Sequence, residues 1–85
     1  MVNPPWRIAT VRIDMTYHFS RKYLARWGWD EHDLREAIAS AYRIDEVGRS
    51  KYEAYIVKRG PKKIIIRHEE SRILCISGSE GGHRV

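Results

Sequence analysis

"TYHFSRKYLARWGWDEHDLREAI", residues 16–38, decides how this chain folds, because the hydrophobic period changes where it begins. Just before it, "RIATVRIDM" alternates: Ala9, Val11, Ile13 and Met15 fall to one side, Thr10, Arg12 and Asp14 to the other, which predicts a strand. From Tyr17 the spacing turns helical. At ~100° per residue Phe19, Ser20, Tyr23, Leu24 and Trp27 share one arc, and His18, Lys22 and Arg26 stack on a neighbouring polar arc. Gly28 reads as a stop. Asp30 reads as the N-cap of a second helix, with Glu31 in its first turn and Asp33 at N3, where negative charge suits the helix dipole. Leu34, Ala37, Ile38 and Ala41 give that helix a buried stripe running to about Tyr42.

Outward from this pair, the C-terminal half holds four short segments rich in β-branched or aromatic residues: "RIDEVG" (43–48), "KYEAYIVKRG" (51–60), "KKIIIRHE" (62–69) and "RILCIS" (72–77). Turn signals separate them: Gly48 with Ser50, Gly60-Pro61 and Glu70-Ser71. The expected architecture is α+β: an N-terminal strand, two helices, then an antiparallel meander of three to four strands packed on the helices. One domain spans residues 1–85, with 1–6 expected as a flexible arm, since Pro4 and Pro5 oppose helix, and 78–85 as a loose tail.

An apolar share of 42% is enough for a packed core and excludes a disordered chain. No apolar run approaches the ~18 residues of a membrane span, no signal peptide is evident, and the single cysteine, Cys75, lies in an apolar stretch, so a cytoplasmic protein without membrane attachment is expected. The net charge is +5. Residues 49–72 hold Arg49, Lys51, Lys58, Arg59, Lys62, Lys63, Arg67 and Arg72 against Glu53, Glu69 and Glu70, while the rest of the chain balances. A surplus gathered on one segment is the footprint expected of a phosphate-binding surface, although lysines on strands also guard sheet edges.

Alternation separates the two faces of the expected sheet. If Ala54/Ile56, Ile64/Ile66 and Leu74/Ile76 meet the helices, the opposite face carries Glu53, Tyr55, Lys63, Arg67 and Ser77 over an apolar floor of Val57, Ile65, Ile73 and Cys75. That set suits RNA: cations hold phosphate, and a tyrosine ring can stack a base. Metal-free cleavage needs a proton acceptor for the 2′-OH, cations for the phosphorane and a proton for the leaving oxygen. Glu53, Tyr55, His18 and His68 are candidates for proton transfer; Arg26, Lys63 and Arg67 for charge stabilisation. Lys22, Lys51, Lys62 and Lys63 are the cations expected to hold the RNA backbone. Plainer roles are open to each: Tyr55 as a half-buried sheet aromatic, Glu53 as a cross-strand ion-pair partner, His18 as a helix-start residue and His68 as a surface residue. His32, His68, His83 and Cys75 have no metal-ligand spacing, so neither metal nor cofactor is expected.

The order of parts resembles a family of small toxin-like proteins grouped with the RelE/BrnT-like toxins and the wider barnase–colicin–RelE fold of metal-independent ribonucleases. His18, Lys22, Arg26, Gly28, Asp33, Leu34, Ala37 and Ile38 stand at matching places of its helical signature, and the meander of residues 51–78 is similar in outline. Lys22, and Trp29 after the glycine, depart from the usual pattern. The resemblance implies an endoribonuclease toxin acting on RNA, including ribosome-bound mRNA, and neutralised by an antitoxin protein. It implies site roles for His18, Arg26, Arg67 and Ser77, to which the face assignment adds Tyr55 and Lys63. Two alternatives stand beside it: a non-catalytic nucleic-acid-binding module of the same fold, and an interaction domain that forms a homodimer through its open sheet face or edge strand, favoured by the outer apolar strip.

Overall fold

The computed structural model describes residues 4–57 and 60–80. Strand β1 (Arg12–Met15) leads into a first helical stretch that is α-helical at Tyr17–Phe19, turns π-helical over Ser20–Leu24 and is α-helical again over Ala25–Trp27. The second helix is Glu31–Ala39, and four strands follow: β2 (Arg43–Gly48), β3 (Lys51–Ile56), β4 (Lys62–Glu69) and β5 (Arg72–Glu80). The sheet order is β1-β5-β4-β3-β2. β2 to β5 form the expected antiparallel meander, and β1 adds to it as a parallel neighbour of β5.

The local chemistry explains these bounds. Thr16 caps the first helix, its hydroxyl accepting from the Phe19 N–H at 3.1 Å. The π turn, closed by the Ala25 N–H on the Ser20 carbonyl, winds less per residue than an α-helix and offsets the about 40° by which residues four apart drift in an ideal α-helix. Phe19, Tyr23 and Trp27 therefore stay in line, with ring centroids 5.8 Å and 5.5 Å apart along the row. The helix ends in a Schellman motif: Trp29 N–H to Leu24 carbonyl at 3.1 Å, Gly28 N–H to Ala25 carbonyl at 3.2 Å, Gly28 at φ +70°. Asp30 and Asp33 form the reciprocal capping box of the second helix, at 2.8 and 3.1 Å. That helix stops at Ala39, short of Tyr42, whose N–H bonds the Tyr55 carbonyl at 3.1 Å and opens the β2–β3 ladder.

Both helices cover one side of the sheet. Phe19, Leu34, Ala37 and Ile38 pack with an inner row of Ala54, Ile56, Ile64, Ile66, Ile73 and Cys75, all buried. At ~25 cal/mol per Å² of apolar surface this single layer is the main stabilising contribution. β5 departs from the parity expected of it. Ile73 and Cys75 face the helices and Leu74 faces outward, because β5 lies between β1 and β4 with Ile73 beside Ile13 and Cys75 opposite Ile66. A bulge at Ile76 then inserts one residue, so that Ser77 pairs with Ile65 on the outer face and Gly78 with Ile64 on the inner one.

Parts of the expected arm and tail take defined places in the fold. Trp6 is 7% exposed and packs edge-on against Tyr52 at 5.1 Å, so the arm is anchored at that residue; residues 1–3 lie outside those described. Gly78–Glu80 belong to β5, and only 81–85 of the expected tail fall outside the described residues. β1 starts at Arg12 rather than at residue 7, since the Arg7 carbonyl closes a turn by accepting from the Thr10 and Val11 N–H groups at 3.1 and 2.8 Å.

Two positions test this packing. A Cβ on Gly78 would lie 3.0 Å from the Lys63 carbonyl oxygen and 3.1 Å from the Trp27 ring, so Gly78→Ala should cost about 1–3 kcal/mol in a denaturant melt. Glu70 holds φ +45° in the β4–β5 turn, and Glu70→Gly should raise the unfolding free energy from the same melt by about 0.5–1 kcal/mol as that strain is relieved.

Candidate nucleic-acid interface

The side of the sheet away from the helices presents four cross-strand rows. From one end they read Arg43–Tyr55–Lys63–Ser79, Asp45–Glu53–Ile65–Ser77, Lys51–Arg67–Leu74–Asp14 and Glu69–Arg72–Arg12. Directly paired residues share a face. Tyr55, Lys63, Arg67 and Ser77 thus stand on one surface, together with Lys51 and Glu53.

Glu53 organises the first two rows. Its carboxylate accepts the Tyr55 hydroxyl at 2.7 Å through one oxygen and lies 3.7 Å from the Lys63 ammonium through the other. The Arg43 guanidinium covers the Tyr55 ring at 5.2 Å and pairs with Asp45 at 2.8 Å. The hydrogen bond to Glu53, then burial, then the Glu53 charge push the Tyr55 phenol up to about 12. At rest it is protonated at any physiological pH and stands as a proton donor.

At the far end Arg72 bridges Asp14 at 2.8 Å and Glu69 at 2.6 Å, and Arg12 reaches Asp14 at 3.1 Å. The Arg72 hydrogen bond comes first among the causes that hold the Asp14 carboxyl below its ordinary value. These cations are occupied. Between the two clusters Lys51 and Arg67 lie directly opposite one another, both exposed, and no described residue supplies either with an acidic partner. Arg49, in the adjoining turn, is exposed as well.

The charge surplus of residues 49–72 therefore resolves into distinct fates. Lys63 and Arg72 are paired, Lys58 and Arg59 lie outside the described residues, and Arg49, Lys51 and Arg67 remain open to solvent. Lys62 corrects the expectation placed on it. It shares the inner row with Ile64 and Ile66, is only 8% exposed, and its ammonium lies over the Trp27 and Trp29 rings at 5.3 and 5.5 Å. It stabilises the helix junction by cation–π contact rather than standing on the cationic face.

His18, Lys22 and Arg26 are exposed on the first helix, on the opposite side of the sheet from Tyr55, Lys63, Arg67 and Ser77. His18 meets the Tyr23 ring edge-on at 5.9 Å, Lys22 lies 5.5 Å over the same ring, and Arg26 pairs with Glu80 at 3.3 Å. The sheet stands between these helix groups and the outer-face groups. The apolar floor differs as well: Ile73 and Cys75 are fully buried on the inner face, and Leu74 joins Ile65 on the outer one. Burial pushes the Cys75 thiol up to about 12, which leaves it inert. Arg43 was not foreseen as a site residue; its signal was the register that sets it opposite Tyr55.

Among the described residues no group of His, Cys, Asp and Glu could hold a metal, and no helix is long and apolar enough to cross a membrane. Comparison with family models, with curated proteins and with solved structures finds no match to this chain.

The Tyr55–Glu53 bond makes a prediction in alkali. Since folding raises the phenol's pKa, its stabilisation is fully present below the unfolded value of about 10. It is lost as pH rises through the folded value of about 12. Tyr55→Phe should remove this alkaline component from stability-versus-pH curves and cost about 1 kcal/mol at neutral pH.

Proposed function

We propose that the bare sheet face binds single-stranded RNA. The observation that supports this best is the Lys51–Arg67 pair, two like charges directly opposite on an open surface with no acid from the described residues between them. Such a pair is unfavourable in the isolated protein and is relieved by an anion. A phosphodiester chain supplies one while releasing its own counterions. Half-exposed Tyr55 and the Ile65–Leu74 strip offer flat contacts for bases beside it.

Cleavage is a second reading, favoured by the position of Glu53 between Tyr55 and Lys63. In a toxin-type ribonuclease Glu53 would accept the 2′-OH proton as that oxygen attacks phosphorus. Lys63 and Arg67 would stabilise the phosphorane, and Tyr55 would give its proton to the departing 5′ oxygen. Transfer of the proton from Glu53 to the Tyr55 phenolate would restore both groups, leaving a 2′,3′-cyclic phosphate. His18 and Arg26 have no part in this scheme, because their helix packs on the other face.

Labelled RNA incubated with the protein in EDTA tests both readings. Binding should weaken linearly in log salt, and Lys51→Ala or Arg67→Ala should each reduce the slope by about 0.7, one phosphate contact on a single strand. Salt-insensitive binding, or slopes unmoved by both variants, would refute the interface. If the RNA is cut, Glu53→Gln should stop cleavage while binding persists, and His18→Ala should leave the rate unchanged; RNA left intact by the wild type rejects the second reading alone.

A further inference from the structure

Where the N-terminal segment crosses the β4–β5 turn, the surface holds a cleft of about 320 Å³ that no feature of the sheet face requires. Trp6 forms its apolar wall, with the His68 ring tilted against the indole at 5.8 Å. Pro5 and Val11 add further apolar lining, Arg7, Thr10 and Ser71 are polar, and Glu70 lines the cleft in the left-handed conformation of the turn. The side chains of Arg7, Thr10, His68 and Ser71 can all donate hydrogen bonds. None has a hydrogen-bond or ion-pair partner among the described residues. His68 is half-buried on the inner row, so its ring is set by Trp6 rather than by water.

We infer that this cleft is a phosphomonoester-binding site, with Arg7, His68, Thr10 and Ser71 as its donors. A guanidinium fork, an imidazole and two hydroxyls offer more donors than a carboxylate can accept, and they match the three terminal oxygens of a phosphate. The volume lies at the lower end of small-molecule sites, enough for a phosphate carrying one further group against Trp6. Two sources share this chemistry, a free mononucleotide and the phosphorylated 5′ end of an RNA strand. The site lies across the sheet from the Lys51–Arg67 pair and does not depend on RNA binding there. Glu70 opposes the ligand's charge, which gives the inference a signature that a merely structural cleft lacks.

The test is an NMR titration of the full chain with inorganic phosphate, with adenosine 5′-monophosphate, and with one RNA oligonucleotide bearing either a 5′-phosphate or a 5′-hydroxyl. Saturable shifts centred on the Trp6 indole, His68 and Ser71 are expected. Arg7→Ala, which removes an exposed side chain with no partner to lose among the described residues, should weaken the affinity about tenfold, the equivalent of one charge-assisted bond. Glu70→Gln should strengthen it severalfold. Shifts with the mononucleotide alone assign a metabolite, and a preference for the phosphorylated oligonucleotide assigns an RNA end; either supports the site. The inference fails if none of the phosphates shifts these signals saturably, if Arg7→Ala leaves the affinity unaltered, or if Glu70→Gln does not tighten binding.

Discussion

The fold depends on the bulge at Ile76. β5 must place Ile73 and Cys75 under the helices and, a few residues on, leave Gly78 under Trp27, and these positions differ by an odd number. An unbroken strand with a side-chain period of two cannot do both. The extra residue solves the conflict, and the Thr16 hydroxyl holds it in place by donating to the Ile76 carbonyl at 3.3 Å while accepting from the Phe19 N–H. One side chain thus joins the start of the first helix to the break in the last strand. The same break returns Ser77 to the face that carries Lys63 and Arg67.

The inner surface shows how size is matched across the layers. The inward-facing aromatics of the first helix lie in a row because the π turn stops them from spiralling away, and the strand beneath answers with the two smallest residues of its inner face, Cys75 and Gly78. Lys62 closes the end of this row with its ammonium against two indoles. The outer surface follows another rule. Its cations are neutralised in two clusters, one around Glu53 and one around Arg72, and the exposed pair lies between them.

Much of this was legible in the sequence. The change of period at Tyr17, the Asp30–Asp33 box and the turn signals located both helices and the four strands of the meander. Parity in β3 and β4 placed Tyr55, Lys63 and Arg67 together because those strands are regular. It failed in β5, where neither the parallel partnership with β1 nor the bulge leaves a local mark. Lys62 was misjudged for a related reason: strand alternation puts it on the inner row, but a lysine is read as a surface residue unless the two tryptophans that receive it are known to converge. Trp6 was hidden by its prolines, since its partners Tyr52 and His68 are remote in the chain.

The pairing of β1 with β5 has a consequence for synthesis. Thr16 and Ile76, which clasp these two strands, are 60 residues apart, so among the described strands β1 finds its sheet neighbour only once β5 has been made. Until then the helices have no Ile73 or Cys75 to rest on, and β4 shows an unpaired border. Non-local closure of this kind slows folding and prolongs the exposure of apolar surface. The chain therefore stays open at this seam until β5 has been made, and a product shortened before β5 would leave β1 without its sheet partner.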